Sequence, residues 1–213
     1  MDAMGYAAFN SDANLKARLA SSYGADGNDL IGRVHLVRRN SDATHRSHYA
    51  KIIVDCIMAC ECSMKSLIFS LSKTPETPEG LYRLVRRRSH HLKRLLDEVK
   101  PRARNRIRLL TDSEERLLLD VDSLGVESRY TVEVFFTLMN EENIARLMGA
   151  GQISGTIDNN DWCNRVVKLS SKMVSLAKTS NERYMQRYTG FLGDHRGEQE
   201  QRYHQFAMDV GII

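Results

Sequence analysis

A run of apolar residues at helical spacing, from Tyr49 to Leu71, most constrains how this chain can fold. Steps of three and four between apolar side chains are typical of an α-helix that buries one face against neighbouring elements. The polar residues at 40–42 precede the run and are favoured at helix starts, so the sequence predicts a helix over about residues 44–72. The stripe consists of Tyr49, Ile52, Ile53, Cys56, Cys60, Met64, Leu67, Ile68 and Leu71.

The composition favours an all-α fold. Only three of the 213 residues are proline, and Leu, Arg, Met and Ala, whose side chains suit helices, are abundant. A chain of this length can bury one substantial core. We therefore expect an N-terminal extension over residues 1–43, a helical domain over 44–180 and a polar C-terminal tail over 181–213, which forms an added helix pair or an interaction arm.

Capping signals define the next helices. Thr77 is placed to cap a helix that has Pro78 at its first position. The apolar stripe of this helix continues through a new turn, capped by Ser89, until Pro101 ends the helix. Further along, a capping-box sequence at 111–114 opens a helix closed by Gly125. A last clear helix is predicted over residues 160–178.

Other segments have weaker patterns. The glycine-rich residues 24–29 predict a loop, residues 14–21 are compatible with a short helix, and residues 30–38 with a helix or an extended arm. The remaining assignments are a short strand at 132–136, a helix at 141–148 and a flexible connection at 149–155.

The four cysteines indicate a reducing compartment rather than a disulfide scaffold. Three of them lie on the long helix without a second matching pair, so we expect buried core thiols and neither a metal site nor a cofactor. No apolar run is long enough to cross a membrane. A soluble, cytoplasmic protein is therefore expected. The cysteines are Cys56, Cys60, Cys62 and Cys163.

Charge is distributed unevenly along the chain. Residues 83–108 hold nine Arg and two Lys against Asp97 and Glu98, a net +9, whereas residues 111–142 carry a net −7. Either the acidic segment neutralises the basic one, or the arginines form a phosphate-binding surface, since Arg makes bidentate contacts to phosphate. The candidate nucleic-acid-binding residues are Arg83, Arg86, Arg87, Arg88, Lys93, Arg94, Arg102 and Arg104.

Three short motifs occur in a characteristic order. Residues 49–67 resemble the "A…E.alKall" first helix of HEPN domains (higher eukaryotes and prokaryotes nucleotide-binding), and residues 91–96 resemble their "HdLkkLl" element without the usual Asp. Residues 121–130 resemble the segment that ends in Arg-Tyr-Pro, with Thr131 in place of the proline. The resemblance covers about residues 45–180. It implies an up-and-down bundle of four or five helices, with terminal extensions, that pairs as a homodimer.

The resemblance also implies possible catalytic residues. Nucleolytic HEPN proteins carry an Arg followed a few residues later by a His, usually on the last bundle helix, but residues 160–178 contain no His. Arg39 and His45 have the family spacing and its Arg-polar start, and are our first choice although they precede the first bundle helix. Arg83 with His90, and Arg86 with His91, also fit.

Function is predicted on this basis. The first hypothesis is a cytoplasmic HEPN-like protein that binds RNA or a nucleotide through its basic face, in a toxin–antitoxin or antiviral (phage-defence) system. The second is a metal-independent endoribonuclease, in which His transfers protons and Arg stabilises the phosphorane charge. The third is a non-catalytic interaction subunit whose basic face binds an acidic protein partner.

Overall fold

The computed structural model describes residues 11–39, 46–73, 75–104, 106–123, 160–188 and 196–213. Within these ranges every regular element is an α-helix, so the all-α prediction is confirmed for this part of the chain. The predictions for Gly125 and for residues 132–136, 141–148 and 149–155 lie outside it. The helices are α1 (Ser11–Arg39), α2 (Arg46–Ser70), α3 (Pro78–Arg88), α4 (Leu92–Ala103), α5 (Asp112–Asp122), α6 (Asn160–Tyr188) and α7 (Arg196–Asp209).

Helix α2 lies at the centre of the structure. Its bounds agree with the predicted long helix, but more than one face is buried, since every residue from Ala59 to Ser70 except Lys65 is buried. The neighbours that cover it are mainly α1 and α6, with α4 and α3 along the rest of its surface. Residues 59–70 of α2, covered on all sides, lie within a single hydrophobic core.

The prediction of a loop at residues 24–29 is wrong, because α1 continues through them without a break. Gly27 is buried against α2, and a Cβ atom built on it would lie 3.3 Å from the Ser63 hydroxyl oxygen and 3.4 Å from the Ala59 carbonyl oxygen. The Ser66 hydroxyl donates a 2.7 Å hydrogen bond to the Ala20 carbonyl. Gly27 therefore permits a close approach of two helices rather than a turn.

Local capping chemistry sets the start of α3 and of α5. Thr77 accepts a hydrogen bond from the Gly80 amide at 3.2 Å, with Pro78 at the first helical position as predicted. At α5, Thr111 and Glu114 form the predicted capping box. These interactions satisfy amides that have no partner inside the helix.

Two boundaries between residues 88 and 104 differ from the prediction. Ser89 closes α3, donating its hydroxyl to the Val85 carbonyl at 3.0 Å, and it does not cap the following helix. Pro101 does not stop α4, which continues to Ala103. Pro101 has no amide N–H to donate to the carbonyl four residues earlier, and α4 ends two residues after it.

The C-terminal part of the chain adds helical structure to the core. Helix α6 begins where predicted but continues ten residues beyond 178, to Tyr188, and Tyr184 in this added part is buried. Helix α7 follows in the predicted polar tail and packs on α1 and α3. The buried residues at 13–34 and Phe206 show that both terminal regions contribute to the packed structure.

The four cysteines are free and buried, as expected for core thiols. Burial raises the pKa of Cys56 to about 12 and that of Cys60 to about 11. The Cys60 thiol donates to the Ser170 hydroxyl at 3.3 Å, joining α2 to α6. Cys56 and Cys60 therefore act as small apolar side chains with high pKa values, not as nucleophiles.

The close approach of α1 and α2 leads to a first prediction. Gly27→Leu should lower the free energy of unfolding by about 1–3 kcal/mol, because the new side chain would meet the backbone and Ser63 of α2. Gly32→Leu is the matched control on the same helix, since a Cβ there meets nothing within 4 Å. It should stabilise the protein by about 0.5–1 kcal/mol through helix propensity. Urea unfolding of both variants measures the difference, and equal stabilities would contradict this packing.

Candidate nucleic-acid interface

The basic segment forms α3, α4 and the link between them, and part of its charge is neutralised within the fold. Four of its eleven cationic side chains form ion pairs with carboxylates of the described residues. Two of the carboxylates belong to the segment itself and two come from elsewhere in the sequence. The pairs are Arg88 with Glu98 (3.3 Å), Lys93 with Asp97 (3.0 Å), Lys100 with Glu115, and Arg102 with Glu98 (3.2 Å) and Glu76.

Arg102 is a structural residue. Its side chain is only 11% exposed and its guanidinium bridges Glu98, one turn earlier on α4, to Glu76 before α3. It also donates to the Glu98 carbonyl oxygen. A phosphate could reach this arginine only after the ion pairs had been broken, so Arg102 does not belong to an accessible binding surface.

The acidic helix α5 complements α4 in a second way. The Asp122 carboxylate accepts hydrogen bonds from the main-chain amides of Leu92, at 2.7 Å, and Lys93, at 3.3 Å. These amides open α4, so Asp122 occupies the position at which a helix N-terminus would bind an anion. The sequence-based expectation that acidic residues neutralise the basic segment is therefore met at the N-terminus of α4 and at Lys100.

Other arginines of the segment remain exposed without a carboxylate partner among the described residues. Arg86 lies over the Tyr82 ring, with 5.9 Å between the guanidinium carbon and the ring centroid. Arg83 is also exposed, but it donates to the main-chain carbonyl of Asp209 at the end of α7. We define the basic surface as Arg86, Arg87, Arg94 and Arg104, all of which are exposed.

A buried carboxylate lies beside this surface. Glu61 on α2 is 2% exposed, and its two oxygens contact the Lys65 ammonium at 2.6 Å and the His90 Nδ1 at 3.2 Å. The His90 side chain is 48% exposed, and its φ of 66° lies in the left-handed region that non-glycine residues rarely adopt. The link between α3 and α4 thus holds a histidine between a buried carboxylate and solvent.

An aromatic residue of α1 completes this polar cluster. The Lys65 ammonium lies 5.5 Å from the centroid of the Tyr23 ring, which stacks on Phe69. Burial, together with neighbouring Tyr82 and Cys62, raises the pKa of Tyr23 to about 12, against the opposing effect of Arg86. Tyr23 therefore remains a neutral phenol at physiological pH.

The proposed catalytic pairs have different outcomes. Arg39 is the exposed last residue of α1, whereas His45 lies outside the described residues, so their separation is not defined. Among the described residues no hydrogen bond joins Arg83 to His90 or Arg86 to His91. His91 is exposed at the start of α4 and its side chain makes no capping hydrogen bond.

Sequence reasoning missed the contact between Glu61 and His90. A signal was present in the sequence, since Glu61 and Lys65 are one turn apart within an otherwise buried helical stretch. The histidine partner, 29 positions away, was not identifiable from local spacing.

No group of three or more His, Cys, Asp or Glu side chains within the described ranges is arranged to hold a metal ion. None of the described helices has both the length and the apolar character needed to cross a membrane. A scan against protein-family models finds no match, and searches of curated proteins and of solved structures find none either.

The different environments of two nearby arginines lead to a second prediction. Arg102→Ala should lower the free energy of unfolding by about 2 kcal/mol, because it leaves Glu76 and Glu98 without their shared cation. Arg104→Ala removes the same charge from an exposed position and should change stability by less than about 0.5 kcal/mol. Thermal and urea unfolding measure the stability of the two variants. A stable Arg102→Ala variant would contradict the structural role of this side chain.

Proposed function

We propose that this protein is a cytoplasmic, HEPN-like protein that binds RNA or a nucleotide through the basic surface, in a toxin–antitoxin or phage-defence system. The observation that carries the proposal is the exposure of Arg86, Arg87, Arg94 and Arg104 without carboxylate partners among the described residues. The resemblance to HEPN domains supports the class. It also leads us to propose an up-and-down bundle of four or five helices that pairs as a homodimer.

The side chains of the basic surface favour contacts to phosphate over contacts to bases. Guanidinium groups match phosphate oxygens in bidentate geometry, and binding releases the counterions condensed on the nucleic acid. Stacking of unpaired bases would require several exposed aromatic rings. Tyr82 is the only Phe, Tyr or Trp in residues 81–108, and it already contacts Arg86 and Phe206. We therefore expect binding that depends strongly on salt and weakly on sequence.

A third prediction tests this surface. Replacing Arg86, Arg87 and Arg94 with Ala should weaken binding to a labelled single-stranded RNA and reduce the slope of log K against log salt by about 2, since each lost phosphate contact contributes about 0.7. Fluorescence anisotropy at several salt concentrations measures the slope. Arg88 is left unchanged because it pairs with Glu98. Any loss of RNA binding in the triple variant then cannot result from the loss of that ion pair.

The matched control removes the same charge from another helix. Arg165, Arg183 and Arg187 are exposed on α6, and their replacement with Ala should reduce the slope much less. Equal effects of the two triple variants would mean that the net charge of the protein, and not the basic surface, determines binding. Binding unchanged by the α3–α4 variant would favour an acidic protein partner or another RNA site.

The contact between His90 and Glu61 supports metal-independent RNA cleavage as a second candidate function. In the neutral tautomer with the proton on Nδ1, the His90 ring donates to the Glu61 carboxylate and Nε2 is left as an acceptor. Such a histidine can accept a proton from a 2′-hydroxyl group. Arg86, four residues earlier, supplies the positive charge that a phosphorane requires.

A fourth prediction separates the adjacent histidines. If the purified protein cleaves RNA in EDTA, His90→Ala should reduce the rate at least about 100-fold, whereas His91→Ala should have little effect. Glu61→Gln should reduce the rate as well, because the carboxylate orients the imidazole. Folding of each variant is checked by circular dichroism. Full activity of His90→Ala with loss of activity in His45→Ala would assign catalysis to Arg39 and His45 instead.

A further inference from the structure

Helix α7 is held on the structure largely by polar contacts. Only Gln199 and Phe206 among its residues are buried, and Phe206 meets the edge of the Tyr82 ring at a centroid distance of 5.4 Å. The Arg18 guanidinium lies 5.3 Å from the Tyr203 ring centroid. With a single buried apolar side chain, the hydrophobic contribution to docking is small compared with that of a core helix.

An ion-pair cluster provides the main polar anchor. The Arg202 guanidinium lies between Asp12 of α1, at 2.7 Å, and Glu79 of α3, at 2.6 Å. The Arg202 side chain is 19% exposed, so the two ion pairs are partly shielded from solvent. This one side chain therefore connects α7 to both helices on which it packs.

Helix α7 contacts residues that lie next to the basic surface. Arg83 donates to the Asp209 carbonyl in the last turn of α7, and it lies one turn before Arg87 on α3. Tyr82, which Phe206 covers, also contacts Arg86. The C-terminal end of a helix carries partial negative charge, so the end of α7 provides Arg83 with the kind of partner that a phosphate would provide.

We propose that α7 is an internal competitor for anions at the basic surface, and that a bound phosphate backbone displaces it from Arg83 and Tyr82. The inference rests on the proposed RNA-binding function. Helix α7 and RNA would then exclude each other at the same side chains, and the coupling between them is reciprocal. Loosening α7 therefore strengthens RNA binding, and RNA binding loosens α7. The full binding site then includes Arg83 in addition to the basic surface.

The test compares two variants with the same change of charge in the full chain. Arg202→Met breaks the anchor of α7. Arg196→Met removes an arginine of the same helix whose side chain is 88% exposed and whose one ion pair among the described residues is with Glu200, at 3.8 Å. Loss of a positive charge alone would weaken RNA binding in both variants. We expect Arg202→Met to bind a labelled 20-nucleotide single-stranded RNA about fivefold more tightly than the unmodified protein, at the lower end of typical coupling, and Arg196→Met to bind no more tightly.

Hydrogen exchange of residues 196–209 provides an independent measurement. Exchange should be faster in Arg202→Met than in Arg196→Met, and addition of the RNA should accelerate it in the unmodified protein. Phe206→Ala, which removes the aromatic contact, should give the same two effects if Arg202→Met leaves α7 docked. The proposal would be overturned if no variant exchanged faster, or if exchange became faster without tighter RNA binding. Either result would leave RNA binding by the unmodified protein intact. If none of the proteins binds RNA, the proposed function fails and this inference fails with it.

Discussion

The burial of the C-terminal half of α2 on all its faces is the constraint on which the rest of the structure depends. From Ala59 to Ser70 only Lys65 is partly accessible, so α1, α6 and the α3–α4 region must all cover one helix. Small residues make this possible, since Gly27 of α1 meets Ser63 without a side chain between them. The serine hydroxyls of this stretch then bond to main-chain carbonyls or to other hydroxyls, and this limits the free-energy cost of burying them.

A helix buried in this way also places a carboxylate in the interior. Ionised Glu61 would be unfavourable there without partners, and Lys65 and His90 supply them. His90 adopts a backbone conformation that costs about 1–2 kcal/mol for a non-glycine residue, and the contact with Glu61 offsets part of this cost. The position of the histidine beside the basic surface therefore follows from a requirement of the core, whether or not the histidine takes part in catalysis.

Features of the sequence that act over one or two turns were predictable, whereas those that depend on distant partners were not. The periodicity of α2, the Thr77 cap and the capping box at Thr111 are local, and the structure has all three. Gly27 misled the prediction because a glycine that permits helix packing has the same local signature as one that permits a turn. In the candidate site, the pairing of Lys93 with Asp97 follows from one-turn spacing, but that of Arg102 with Glu76 requires the tertiary fold.

Some charged side chains of the basic segment stabilise the fold through ion pairs, but part of its positive charge is not neutralised within the fold. Its net charge of +9 becomes +7 when Glu76 and Glu115 are included, and +6 with Asp122 at the start of α4. The remaining positive charge includes the exposed Arg83, Arg86 and Arg87, which lie close together on α3, where like charges repel one another. Such repulsion is unfavourable for the isolated protein and is relieved when an anion binds. A partner with regularly spaced negative charges, as in a phosphate backbone, would relieve it at several arginines simultaneously, and a carboxylate supplied by the fold relieves it at only one or two.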